Sequence, residues 1–280
     1  MSIETRIERF AAMGTRVELH VFGPGDTDCL WAARRAIEAV DDALTIHRPS
    51  RTTALNEALA AGGGAAVDDP LLLDALAIAD AAVAATGGLF DPTAGDGLPG
   101  CWDHLSIDRA AARVAASAPV AFDFGGFGKG YALDRAVDIL RAAGVVSALL
   151  SAGESSIAVI GQHPLGGGWP LAVPDPVLPG ATLAAIEVED AALSISSTVG
   201  PGMLAPRRAA TVRPSDGRAV AHPRTAIAVE ASGALAEAIS TALIVADRAE
   251  AAALIAARPG GRHLFNHAAA MPAVREEADV

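Results

Sequence analysis

An α+β fold is the expectation for this 280-residue chain, and three observations carry it. VSALLSAG, SIAVIGQ and WPLAVPDP alternate in apolar character and follow one another like hairpin-connected strands. TLAAIEVEDAALSIS and RTAIAVEAS extend that run towards the C-terminus. Alanine- and leucine-rich stretches of helical period are interspersed among these strands instead of following each one, which distinguishes α+β from a doubly wound parallel sheet.

In chain order, RVELHVFG reads as a strand and DCLWAARRAIEAVDDALTI as an amphipathic helix that turns Trp31, Ala32, Ile37, Val40 and Leu44 inward. Asp26, Thr27 and Asp28 supply its N-terminal cap. DPLLLDALAIADAAVAATGG is a second helix closed by glycines, and APVAFDFGG a short buried strand ending in a glycine-rich turn. GYALDRAVDILRAAG follows as a helix with Ala132, Ala136, Ile139 and Leu140 on one face and Gly144 as its C-terminal stop. AEAISTALIVADRAEAAALIAA reads as one alanine-rich amphipathic helix. GQHPLGGGWP and GPGMLAPRR are loops, and the segment around 198–225, rich in Pro, Gly and Arg, fits a packed core least well. No repeat or low-complexity linker divides the chain. Residues 1–267 are therefore expected to form a single domain, with 268–280 a frayed tail.

Composition narrows the function classes. Half the residues are apolar (51%), which excludes a disordered chain. A net charge of −12 argues against a general nucleic-acid or anionic-membrane surface. Cys29 and Cys101 are far apart and lack metal-ligand spacing. The start, MSIETRIERFAAMG, has no apolar core of a secretory leader, and no run of about 18 apolar residues could span a bilayer. A cytoplasmic location is the default expectation; the oligomeric state is left open.

Two local patterns carry chemistry. FDFGGFGKGYALD sets a carboxylate, four glycines and Lys129 within nine residues at the start of a helix. Gly125, Gly126, Gly128 and Gly130 allow close backbone approach, and Lys129 adds positive charge beside the free amides of the helix start, which suits a phosphate-bearing anion. The spacing is neither a Walker A loop nor a clean GxGxxG, and a tight structural connection is the alternative. Glu237, Ser240 and Thr241 stand at i, i+3 and i+4, so a helix places all three on one face where they could share a hard cation. A solvated polar face is the competing reading.

From about residue 10 to 250 the chain resembles the ApbE family of flavin transferases, and the resemblance rests on several segments. AAMGTRVELHVFG is similar to the family's opening strand and puts Met13 against the flavin. HRPSRTTALNEAL resembles the loop before an asparagine-led helix, with His47 near a flavin-contacting tyrosine position. TGGLFDPTAGDGLPGCWD resembles TxGAFDPT…LW, which makes Leu89, Phe90 and Asp91 ligand contacts. FDFGGFGKGYALD is similar to DLGAIAKGYAVD; by that match Asp123 and Lys129 contact FAD, and the Gly126 carbonyl is a metal ligand. LLSAGESSIAVIG resembles a glycine–glycine–acid strand turn, with Ala152 and Glu154 in place of glycine and aspartate. ALAEAISTALIVA resembles ADALSTALFVLG, which makes Glu237, Ser240 and Thr241 the magnesium-side residues. ATVRPSDGRAV aligns with HIIDPRTGRPV, so the family histidine becomes Ala210, its aspartate Arg213 and its threonine Asp216, while Val212 joins the flavin-contacting set. His222, in AVAHPRT just downstream, is the candidate replacement imidazole; a surface histidine is the other reading.

The resemblance implies an ApbE-like, T-fold-like arrangement of mixed sheets and packed helices in two intimately joined halves. It implies a magnesium-dependent FAD:protein FMN transferase that moves FMN to a Thr or Ser hydroxyl of an acceptor protein and releases AMP. With water as acceptor the same site would be an FAD pyrophosphatase. Ala210 and Glu237 keep a non-catalytic flavin-binding protein as an alternative, and outside flavin chemistry a structural or interaction protein.

Overall fold

The computed structural model describes residues 4–95, 98–199 and 211–267. Its framework is a seven-stranded antiparallel sheet built from β1 (Thr5–Ala12), β2 (Thr15–Phe22), β6 (Ala148–Ala152), β7 (Ser156–Ile160), β10 (Ala192–Ser197), β11 (Arg224–Glu230) and β12 (Arg262–Asn266), in that spatial order. β3 (Gly63–Ala66), β5 (Arg113–Ala116) and β4 (Leu105–Asp108) form a small second sheet, and β8 (Trp169–Pro174) with β9 (Thr182–Val188) a two-stranded ribbon. The α+β expectation holds.

Alternation along the strands sorts the faces. Val17, Leu19 and Val21 of β2, with Leu150 of β6 and Ala158 of β7, point to the helical side. There α1 (Asp28–Leu44), α4 (Gly128–Ala142) and α5 (Gly233–Val245) pack on the sheet, joined by α2 (Arg51–Leu59) and α3 (Pro70–Ala85). The opposite face buries Val159, Leu193 and Ile227 against Trp169, Val173 and Val188 of the ribbon. Burying both faces, one under helices and one under the ribbon, is what lets a single broad sheet serve two cores.

Several local expectations change. Residues 118–126 form no strand: Val120, Phe122 and Phe124 are buried in alternation, yet the Phe122 amide donates to Asn56 Oδ1 at 2.8 Å and the Phe122 carbonyl accepts from Asn56 Nδ2 at 2.9 Å. A side chain of α2 takes the place of a neighbouring strand, so the alternation is real and the ladder is not. Trp31 is 48% exposed; Leu30 and Ala33 are buried in its stead, and the Arg34 guanidinium lies 5.5 Å from the Trp31 ring. Thr27 is the N-cap residue of α1 but makes no side-chain cap bond, while Asp26 Oδ1 accepts from the Asp28 amide at 3.0 Å.

The stretch 236–257 is two helices, because Asp247 starts α6 (Arg248–Ala256) with a capping box to Glu250. Nor is α5 amphipathic, since eleven of its residues are buried. Gly144 does stop α4: it has φ +80, and the Val145 amide reaches the Leu140 carbonyl at 3.0 Å, as in a Schellman turn. Among the described residues no helix is long and apolar enough to cross a membrane. Ala210, most of GPGMLAPRR and the tail 268–280 lie outside the described residues.

Candidate functional site

Two glycines bring the key helices together. A methyl group at Gly130 would overlap the Gly233 carbonyl, and one at Gly233 would meet the Gly130 carbonyl oxygen at 2.6 Å. The first turns of α4 and α5 therefore touch backbone to backbone. Asp134 secures the crossing by accepting from the Gly233 amide at 2.6 Å and the Ala234 amide at 3.0 Å, adding to the Ser232 cap of α5. Burial pushes the Asp134 carboxyl up to about 6, against the two amide bonds that pull it down.

That crossing places Lys129 beside Glu237. The Lys129 ammonium lies 2.9 Å from Glu237 Oε1, which also accepts from Ser156 Oγ at 2.5 Å, while Oε2 accepts from the Gly130 amide at 2.9 Å. Glu237 is 3% exposed, and three donors compensate the lost hydration of its charge. Ser240 has a different task. Its hydroxyl bonds Ser194 at 3.0 Å, Ser196 at 2.7 Å and the Glu237 carbonyl at 3.1 Å, tying α5 to β10. Thr241, one turn on from Glu237, has a hydroxyl with no hydrogen bond to a described residue. A Cβ at Gly126 would sit 3.2 Å from that hydroxyl and 3.6 Å from Phe90 Cε2, so glycine keeps the space between them open.

Among the described residues no three His, Cys, Asp or Glu side chains gather into a metal cluster. A cation here would draw on one carboxylate, one hydroxyl and one carbonyl. Those are all hard oxygen donors, and the free Thr241 hydroxyl beside the open space at Gly126 fits such an ion.

On the other side of Lys129 opens a cavity of about 330 Å³ lined by Met13, His47, Asp123, Gly125, Gly128 and Lys129, together with Asp41 and Arg48. Met13 sits at φ 55 in the β1–β2 turn and extends its Cε to 3.1 Å from the position of a Gly128 Cβ. Met13, His47 and the Asp123–Lys129 turn are thus brought together from three separate segments. Asp123 Oδ1 accepts from the Gly125 amide at 2.8 Å, setting the turn into α4.

Leu89, Phe90 and Asp91 lie on the loop after α3. Phe90 is buried and stacks on Phe127 with ring centroids 6.2 Å apart, and Leu89 is half-buried against the core. The Asp91 carboxylate is engaged inside its own loop: Oδ1 accepts from the Thr93 amide and hydroxyl at 2.8 and 2.6 Å, Oδ2 from the Trp102 amide at 3.2 Å. Val212 bridges Ala219 at the base of a short turn. Arg213, in that turn, donates to Glu250 Oε1 at 2.7 Å, and this bond raises the guanidinium pKa. His222 is exposed; its carbonyl accepts from the Thr198 hydroxyl at 2.8 Å, and it does not line the cavity beside Lys129. Glu154, at φ 62, has a side chain 86% exposed that reaches Arg16 at 3.5 Å. Sequence reasoning missed Ser156, Asp134 and Gly233. Only the glycine pair left a local signal, as glycines at the starts of two helices.

Comparison with known proteins adds to this geometry. The family model described as the ApbE family matches residues 13–265. A protein of Rhodobacter capsulatus named FAD:protein FMN transferase is 30% identical over 202 residues, which is 60% of this chain and 37% of that relative. The chain thus aligns with little more than a third of that relative's length. The apo crystal structure of the Pseudomonas stutzeri flavinyl transferase ApbE superposes with a TM-score of 0.76 at 21% identity, covering 95% of each chain. The ApbE protein of Thermotoga maritima gives a TM-score of 0.77 at 22% identity, covering 94% of each. At such identities the solved structures establish the shared fold, and the family match runs from Met13 through the glycine–lysine turn and α5 to the last strand. The chain belongs to the ApbE family.

Proposed function

We propose that this chain is a magnesium-dependent FAD:protein FMN transferase, in which residues 1–267 act as one catalytic unit. The observation that carries the reading is the convergence of Lys129 and Thr241 on the two sides of the Gly125–Gly126 turn, next to a cavity that Met13 and His47 help to line. In it, Met13, His47, Leu89, Phe90 and Val212 would contact the flavin nucleotide; Lys129 would hold the pyrophosphate, since the amides of Gly125, Gly128 and Gly130 are already bonded to Asp123, Phe124 and Glu237. Asp123 would shape that turn, and Asp91 would act by keeping its loop in place. The Gly126 carbonyl, Glu237 and Thr241 would hold magnesium, with Ser240 bracing α5; bound there, the ion supplies charge neutralisation for the leaving AMP.

The acceptor's Thr or Ser oxygen attacks the FMN phosphorus, the phosphorus–oxygen bond to the AMP phosphate breaks, and AMP leaves with the bridging oxygen. The hydroxyl proton passes to solvent or to a base, for which His222 is the candidate. Such chemistry depends chiefly on positioning and charge, so the absence of the family histidine at Ala210 slows it by about 10²–10⁴ without removing it. A cytoplasmic setting belongs to the same proposal, in keeping with the free thiols of Cys29 and Cys101.

The test is incubation with FAD, Mg²⁺ and a threonine-containing acceptor, followed by nucleotide chromatography and acceptor mass. Stoichiometric AMP with FMN-modified acceptor supports transfer. AMP with free FMN assigns the chain as a pyrophosphatase. FAD bound without turnover assigns the non-catalytic reading, which Ala210 and Glu237 motivate.

A further inference from the structure

The segment that aligns with the family's histidine–aspartate motif has a different task in this chain. α5 ends without glycine, at a C-cap residue of φ −60, and has no basic residue in its last turn. Its final carbonyls are instead taken by two arginines from the segment after residue 210. Arg224 Nη1 donates to Ile244 at 3.1 Å and Ala246 at 2.8 Å, and Arg213 Nη1 donates to Val245 at 2.9 Å. Arg213 also bonds Glu250 at 2.7 Å through Nη2 and Ser215 at 3.1 Å through Nε, so all three nitrogens of its guanidinium are committed.

The same residue closes a tight turn. Its amide reaches the Arg218 carbonyl at 2.8 Å, and its carbonyl accepts from the Gly217 amide at 2.8 Å, with Gly217 at φ +66. Within that turn the Pro214 carbonyl accepts from the Gly100 amide at 2.7 Å, which docks the turn on the loop that carries Phe90 and Asp91. Gly100 packs directly against the Asp91 carboxylate, which a Cβ there would overlap. The turn therefore clasps two elements, α5 and the loop after α3. Those are the elements whose Thr241 and Phe90 flank Gly126.

We propose that Arg213 is a positioning residue for the cation side of the site: it fixes the separation between α5 and the Phe90 loop, and so the place of the Thr241 hydroxyl opposite Gly126. The inference rests on the reading of Gly126, Glu237 and Thr241 as the cation's oxygen donors. An arginine where the family has aspartate is then a replacement with its own function, since its planar fork reaches a carbonyl, a carboxylate and a hydroxyl from three separate nitrogens, whereas lysine offers a single one.

The test measures Mn²⁺ binding to the whole protein by electron paramagnetic resonance, with FAD binding followed separately by flavin fluorescence. Arg213→Ala is expected to weaken Mn²⁺ by roughly ten-fold or more, the range seen when a group supporting a metal ligand is removed. Arg213→Lys, which keeps one donor for Val245, should recover part of the loss, and FAD affinity in the absence of metal should fall by a smaller factor than Mn²⁺ affinity, since the turn also holds the loop of Phe90. Circular dichroism checks that each variant is folded. Where Arg213→Ala does not fold, Arg213→Lys and Glu250→Gln carry the test, both expected to weaken Mn²⁺ with secondary structure intact. A lowered melting temperature with parental Mn²⁺ affinity would make Arg213 a stabilising cap only and overturn the inference. A parent protein that binds no Mn²⁺ would overturn the cation reading itself, and the inference with it.

Discussion

Asn56 shows how one side chain can substitute for a strand. Its amide group satisfies both backbone groups of Phe122, a residue only 1% exposed, and so sets the path of the chain into the glycine–lysine turn. Asn56→Ala leaves that donor and acceptor without partners and should cost about 2–4 kcal/mol in urea denaturation, from the usual cost of unmet buried polar groups. Asp134 makes a prediction in pH. Its carboxyl is raised from 3.8 to about 6 by burial, so between those values the folded protein holds more protons than the unfolded chain. Stability from this group is greatest below about pH 4, falls as pH rises to about 6, and is flat above, a swing of at most about 3 kcal/mol. Asp134→Asn should flatten that slope when unfolding free energy is measured from pH 4 to 7; an unchanged slope would contradict the assignment.

At the scale of elements, the crossing of α4 and α5 determines what the site can be. Gly130→Ala forces backbone against backbone, where no flexible side chain can give way, so the loss should exceed about 3 kcal/mol, beyond ordinary overpacking. A thermal melt within a few degrees of the parent would show that the helices are further apart than described. The legible elements were those whose signals are local. Gly144 and the apolar face of Ala132, Ala136 and Leu140 define α4 from sequence alone. Alternation at Val120, Phe122 and Phe124 reports which side chains are buried, but cannot tell whether the hydrogen-bonding partner is a strand or Asn56, 66 residues away. Trp31 was misplaced for a similar reason: a helix face of the right period does not say where the face ends, and Trp31 lies beyond its edge beside Arg34. Asp247 was a readable cap signal that divides α5 from α6, obscured by the alanine run around it.

For the whole molecule, one antiparallel sheet carries helices on one face and a ribbon on the other, and its helical face brings residues 129 and 237 into contact. The i, i+3, i+4 spacing of Glu237, Ser240 and Thr241 was visible in the sequence; their division of labour was not. Ser156, 81 residues from Glu237, and Ser194 and Ser196, more than 40 from Ser240, reach them only through the sheet. The most direct measurement is a single-turnover transfer assay, reading the acceptor by intact mass over time for the parent and for Lys129→Ala. The account predicts an FMN mass gain with the parent and a rate about 100-fold lower for the variant, as when one preorganised donor to developing charge is removed. An acceptor that gains no FMN from the parent, or gains it equally fast from both proteins, would contradict it.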